Sequence, residues 1–237
     1  MSVTGIVAAL TAEARTLGPR HPGPLPAAAG APPIHRLADG TLLIISGMGP
    51  DAAARASWAL VAAGAQGLLS FGVAGALDPT LRAGAVLLSE AVSNGAGIRH
   101  ATCAAWRERL ASRAAPIIGG TLLSVAQPLT TAAAKSQAWR ATGAVAVDME
   151  SFAMAAVAQA SGLKFAVARV VLDTAADSVP LSVTRATDAW GKVAQRRLLA
   201  GLLLRPAEIV ALLTLARRYR LAMHSLRQLA RQGVGLS

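Results

Sequence analysis

The chain has 237 residues, enough for one sizeable hydrophobic core, and its 54% hydrophobic content contains only 3% aromatics, a composition of small aliphatic residues suited to helices packed closely on a sheet. A single cysteine, Cys103, excludes an internal disulfide or a thiolate metal cluster, and a membrane span is not expected because glycines break Leu60 to Leu77 and Arg205, Pro206 and Glu208 break Leu198 to Ala216. The formal charge of +11 is concentrated at one end: eight arginines between Arg196 and Arg231 accompany the single acid Glu208, so the excess speaks for a basic tail and not for a nucleic-acid-binding main domain.

The first apolar run, Gly5 to Leu10, reads as a buried strand, and a helix beginning at Thr11 and reaching Leu17 carries Glu13. No basic leader precedes that strand, and cytoplasmic residence is expected. Pro19 to Pro33 is too punctuated for a long element, whereas Ile34 to Leu37 and Thr41 to Ser46 flank an Asp39-Gly40 turn as a hairpin. Pro50, after Gly47-Met48-Gly49, opens a helix to Ala63, since the first helical position needs no N–H. Gly67 to Gly72 and Gly84 to Glu90 read as strands, Gly95 to Ile118 as loop and helix, and Thr121 to Val125 as a short strand before a helix over Thr131 to Thr142. Ala144 to Asp148 leads into a helix from about Ser151. Lys164 to Leu172 is a strongly apolar strand in which Arg169 needs a partner if buried. From Ser182 onward the chain reads as helix with a break near Arg205-Pro206.

Strands separated by helices predict a three-layer α/β/α domain with a central mixed sheet, whose ligands gather beyond the carboxyl ends of the strands. The chemistry-bearing residues fall there: Glu13 after the first strand, Gly47 and Gly49 after the hairpin, Glu150 and then Asp173 after the later strands. Such a set suits cleavage of a bond between a sugar and a base, in which a carboxylic acid protonates the departing base and a carboxylate orients or deprotonates water. Asp173 is placed for the acid, with a helix cap as its structural alternative; Glu13 for the base, with a solvated first-turn position as its alternative. Glu150 can accept hydrogen bonds from vicinal hydroxyls, and Asp148 reads as a helix cap. The glycine-rich turns Ser46 to Pro50 and Ser70 to Pro79 put Gly47, Gly49, Gly72 and Gly75 forward for phosphate or sugar contact, with Arg55, Arg82 and Arg169 as cations for an anion. His21, His35, His100 and His224 share no ligand spacing, so no metal and no resident cofactor is expected; His100 is a candidate for substrate contact.

In order along the chain, GIVAALTAE, SGMG, FGVAGALDP, VDMES and ARVVLDTAAD resemble the nucleoside phosphorylase and nucleosidase superfamily over roughly residues 3–200, and within it the hopanoid-associated phosphorylases, with methylthioadenosine/S-adenosylhomocysteine nucleosidases as further relatives. The resemblance implies the phosphorylase/hydrolase-like fold, a catalytic unit over 1–204 followed by a basic amphipathic helical extension over 205–237, and a homo-oligomer. It implies Glu13 as activator of water, Met149 and Glu150 on the ribose, and Asp173 as proton donor to adenine. The implied activity is release of adenine from adenosylhopane in hopanoid biosynthesis, with water or inorganic phosphate as cosubstrate. Where the nucleosidases carry serines this chain has Val73 and Leu172, which predicts a more apolar site and a raised Asp173 pKa through desolvation.

In the last helix Ile209, Leu212, Ala216, Tyr219, Met223, Leu226 and Ala230 form an apolar row flanked by Arg217, Arg220, His224, Arg227 and Arg231. That face is expected to pack on protein or to meet an anionic membrane, placing the enzyme peripherally on the inner face of the cytoplasmic membrane. The alternatives are a methylthioadenosine/S-adenosylhomocysteine nucleosidase and a noncatalytic nucleotide- or RNA-binding protein, although few aromatics are available to stack on bases.

Overall fold

β1 (Thr4–Ala8) is buried at every residue and lies parallel to both β3 (Leu42–Ile45) and β4 (Gly67–Ala76), so both faces of the sheet must be covered. This computed structural model describes residues 3–21, 23, 25, 32–111, 117–179, 182, 188, 194 and 208–236. β2 (Ile34–Arg36) pairs antiparallel with β3 across a turn in which Gly40 has φ +86° and Asp39 Oδ1 accepts the Thr41 N–H at 3.0 Å. β11 (Lys164–Asp173) runs parallel to β4 for its full length, and the far end of β4 pairs antiparallel with β10 (Ala146–Asp148). Beyond β10 follow β9 (Thr121–Ser124), β6 (Ala91–Ser93) and β7 (Arg99–Ala101), while β5 (Val86–Leu87) joins β11 to β8 (Ile117–Ile118) in the same mixed sheet.

Alternate side chains serve opposite layers, as the two-residue period requires. Val7, Ile44, Leu68 and Val167 face α2 (Pro50–Ala62) and α5 (Ser151–Ala160), meeting Ala53, Ala56, Leu60 and Met154. Ile6, Ala8, Phe71 and Val170 face Trp106 of α3 (Ala104–Ala111) and Met223 and Leu226 of α6 (Glu208–Arg231). α4 (Ala132–Thr142) is capped by Thr131, whose hydroxyl accepts the Ala134 N–H, and closes on Gly143 in the left-handed region.

Three elements differ from their sequence reading. The expected strand over Gly84 to Glu90 is two strands, because Leu88 and Glu90 give their N–H groups to Ile118 and Gly120 and the chain changes partner between β5 and β6. Gly72 and Gly75, read as part of a turn, lie inside β4, which continues to Ala76. The helix from Thr11 is a single α turn, α1 (Thr11–Ala14), continued as a 3-10 turn over Arg15–Leu17.

The C-terminal helix belongs to the core. Ala222, Met223, Leu226 and Leu229 are buried, Trp106 donates to the Val234 carbonyl at 3.2 Å, and the Leu236 N–H donates to Thr4 Oγ1 at 2.6 Å. Of the expected apolar row, Met223 and Leu226 are inside but Ile209 and Tyr219 are exposed, because the first half of α6 runs along the rim of the domain while its second half packs on the sheet; the basic row is exposed throughout. No helix among the described residues is long and apolar enough to cross a membrane. The expected helix start at Ser182, the break at Arg205-Pro206 and the 204/205 boundary lie outside the described residues, apart from the isolated Ser182.

Candidate active site

Beyond the ends of β1, β4, β10 and β11 lies a cavity of about 330 Å³, at the low end of the roughly 300–1,000 Å³ usual for ligand pockets. α1 begins three residues after β1, which carries Glu13 back over the sheet. Its carboxylate accepts the N–H groups of Leu10 and Val73, each at 2.9 Å. Gly72 makes this possible: a β-carbon there would lie 2.5 Å from Glu13 Oε1 and 2.6 Å from the Arg169 guanidinium. Burial pushes the Glu13 carboxyl above its ordinary value, opposed by Arg169 and the surrounding N–H groups.

Arg169, only 2% exposed in β11, finds partners for both terminal nitrogens, while its buried Nε has none among the described residues. One terminal nitrogen donates to Ser70 Oγ at 2.8 Å and Asp148 Oδ2 at 2.6 Å, with Glu150 Oε2 at 3.3 Å, while the other donates to the Val73 carbonyl at 3.3 Å. Three acids and this one cation hold one another in place. Glu150 also accepts the Gly49 N–H at 2.9 Å, which is how the SGMG turn reaches the site. Desolvation raises its pKa to about 7, reinforced by Asp148 and Glu13 and resisted by Arg169 and the Gly49 N–H. Asp148 accepts the Ser151 N–H at the head of α5 at 3.2 Å, so it acts as a cap as well as an ion-pair partner.

Asp173 closes β11 and lines the cavity, with its side chain 11% exposed. Oδ2 is paired with Lys135 of α4, a lysine 1% exposed whose remaining hydrogens go to the carbonyls of Thr174 at 3.0 Å and Asp177 at 3.1 Å. Among the described residues Asp173 Oδ1 has no hydrogen-bond partner. Val73 and Leu172, expected to make the site more apolar, line the cavity, and a buried ammonium meets the carboxylate from behind.

Glu13, Met149, Glu150, Asp173 and Gly75 all line this cavity; Gly72 supports it from β4 and Gly49 through Glu150. Gly47 gives its N–H to the Ala9 carbonyl, leaving Met48 of the same turn on the wall. Arg55 is exposed on α2, and Arg82 is exposed beside a different cavity with Gly84 and Ser225; neither lines this one. His100 packs against Phe152, ring centres 4.9 Å apart, also outside it. Apart from Thr130, Asp148 and Arg169, the rest of the wall is apolar, from Leu10 and Met48 to Leu172 and Leu215 of α6.

Sequence reasoning missed Lys135, and a signal for it existed. Of 23 basic residues only Lys135, Lys164 and Lys192 are lysines, and Lys135 sits in an alanine-rich helix. A chain that otherwise prefers arginine keeps at that position the one strong cation that can release a proton.

The profile of the phosphorylase superfamily matches residues 5–204. No protein of curated function matches the sequence. Among solved structures, the 5'-methylthioadenosine/S-adenosylhomocysteine nucleosidase of Neisseria meningitidis is similar with a TM-score of 0.71 at 16% identity, over 98% of each chain. A Helicobacter pylori nucleosidase mutant holding 5'-methylthioadenosine gives 0.69 at 17%, over 87% of this chain and 97% of that one. The futalosine hydrolase of Helicobacter pylori gives 0.71 at 18%, over 97% of each. At these identities the likeness is one of fold.

Proposed function

The chain belongs to the phosphorylase superfamily and is an enzyme of N-glycosidic bonds, and on that premise we propose that it hydrolyses adenosylhopane, releasing adenine and a ribosylated hopane in hopanoid biosynthesis. The observation that carries the reading is the convergence of Glu13, Glu150 and Asp173 on one pocket whose remaining wall, apart from Thr130, Asp148 and Arg169, is apolar. As the bond between ribose C1' and the base breaks, positive charge grows on the sugar and electrons move into the purine. Asp173 protonates the base, Glu150 accepts the ribose hydroxyls and steadies the charge beside Met149, and Glu13 takes a proton from the attacking water. The raised pKa of Glu13 makes it a stronger base for that step.

A cavity of about 330 Å³ accommodates the nucleoside, so a bulky hydrocarbon has to leave past Leu10, Leu172 and Leu215 toward α6. Water is favoured over phosphate because Arg169 is the only cation on the described wall and both of its terminal nitrogens already donate to protein acceptors, leaving only its buried Nε without a partner among the described residues. The exposed face of α6 carries Val210 and Leu213 among Arg217, Arg220 and His224, a surface suited to an anionic membrane from which such a substrate is drawn. A homo-oligomer is proposed from the family resemblance and is read directly from the mass in solution.

The test is adenine release from adenosylhopane and from methylthioadenosine, each with and without inorganic phosphate, with mass identification of the sugar product. Preference for adenosylhopane and a phosphate-independent free ribosyl product are expected, and Glu13→Gln lowers kcat by about 10²–10⁴. Preference for methylthioadenosine would reassign the substrate, and a ribose phosphate would reassign the attacking group.

A further inference from the structure

Asp173 is asked to act as an acid, yet its Oδ2 is paired with a buried ammonium, the arrangement that favours a carboxylate. Lys135 is 1% exposed, and all three of its hydrogens are engaged, with Asp173 and the carbonyls of Thr174 and Asp177. The turn presenting those carbonyls is held by Asp177, whose carboxylate accepts from Thr174 N and Oγ1 at 2.7 Å and pairs with Arg218 of α6. The lysine therefore sits fixed behind the acid, outside the cavity wall, while Asp173 Oδ1 is left to the pocket.

We propose that Lys135 is a positioning residue that also supplies the proton Asp173 hands to the departing base. One N–H bond of the ammonium breaks and an O–H bond forms at Asp173 Oδ2, leaving a neutral amine and a neutral carboxylic acid. Rotation about Cβ–Cγ turns that hydroxyl into the pocket. As the C1'–N bond breaks and its electron pair enters the purine, the base takes the proton, Asp173 returns to carboxylate and the base leaves neutral; Lys135 is reprotonated from solvent before the next turnover. A ligand that fills the apolar pocket removes water from the pair, which narrows the gap between its charged and neutral forms. The charged groups facing the pair are Glu13, Glu150 and Arg169 across the cavity and Asp177 with Arg218 beside the turn.

The inference rests on the adenine-releasing reading above, and the experiment separates the two. Full-length wild type, Lys135→Arg and Lys135→Met are assayed on methylthioadenosine and adenosylhopane, whose base needs a proton, and on 4-nitrophenyl riboside, whose leaving group departs as a stable anion. Arginine keeps the charge but does not release a proton in a protein. Both variants are expected to lose about 10²-fold or more in kcat on the adenine nucleosides while 4-nitrophenyl riboside is cleaved within about threefold of wild type. If the riboside is not turned over, Lys135→Arg decides alone, since it keeps the charge behind Asp173 but supplies no proton. Equal losses on both substrate types, or full activity of Lys135→Arg, overturns the inference while leaving the reading intact. A wild type that releases no adenine overturns both.

Discussion

Replacing Glu150 by Gln uncouples stability from pH at one buried carboxyl. The Glu150 pKa is raised from 4.5 to about 7, chiefly by desolvation. A carboxyl whose folded pKa exceeds its unfolded value contributes fully below the unfolded value, and that contribution is lost as pH rises through the folded value. The difference, 7 minus 4.5, multiplied by about 1.36 kcal/mol per unit, gives about 3 kcal/mol that the wild type forfeits between pH 4.5 and the range above 7. Glutamine cannot ionise, and its carbonyl can still accept the Gly49 N–H. Urea unfolding at intervals from pH 5 to 9 is therefore expected to show Glu150→Gln gaining on wild type by up to about 3 kcal/mol as pH rises. Over the same interval kcat/KM of the wild type is expected to rise, because only ionised Glu150 accepts both ribose hydroxyls, so activity and stability move in opposite directions. Parallel stability curves for the two proteins, or a gap that closes with pH, would refute the electrostatic account of the site.

Gly72→Ala forces a methyl within 2.5 Å of Glu13 Oε1 and 2.6 Å of Arg169. It is expected to cost about 1–3 kcal/mol in unfolding free energy and at least about 100-fold in kcat/KM; a variant with wild-type turnover and melting would show that the Glu13–Arg169 geometry does not matter. Truncating the C-terminal tail is a poor probe of membrane contact, since Met223 and Leu226 are core residues. Val210→Asp with Leu213→Asp instead alters side chains 73% and 61% exposed, and is expected to reduce sedimentation with phosphatidylglycerol vesicles about tenfold while leaving methylthioadenosine cleavage unchanged. Equal vesicle binding would remove α6 from the membrane argument.

The elements that could be read from the sequence are those decided locally. Pro50 and the continuous aliphatic run of β3 mark their boundaries without help from the rest of the chain, and the apolar run from Lys164 is long enough to name β11. β4 was underestimated because Gly72 and Gly75 carry turn propensity, and only the approach of Glu13 and Arg169 explains why glycine is needed in an extended strand. The division between β5 and β6 is set by partners at Ile118 and Gly120, far along the chain. The candidate acids stood out because each follows a strand. Lys135 did not, since its partner lies 38 residues away and nothing in α4 announces it beyond the choice of lysine over arginine.

The same pairing bears on what attacks the sugar. Among the described residues, Glu13, Asp148, Glu150 and Asp173 share two buried cations, Arg169 and Lys135, so the fully ionised site is anionic, and the raised pKa values of Glu13 and Glu150 are its response. A phosphate entering beside Glu13 would add like charge, at about 4 kcal/mol per pair of unit charges 4 Å apart in an environment of effective dielectric 20. Arg169 offers little to offset it, because both terminal nitrogens already serve Ser70, Asp148, Glu150 and Val73 and only its buried Nε is without a partner among the described residues. Water carries no charge and needs only a base, the role proposed for Glu13, which is buried and held by two backbone N–H groups. The cations in this site orient acids, and that is the physical argument for the proposed hydrolytic reading within the phosphorylase superfamily.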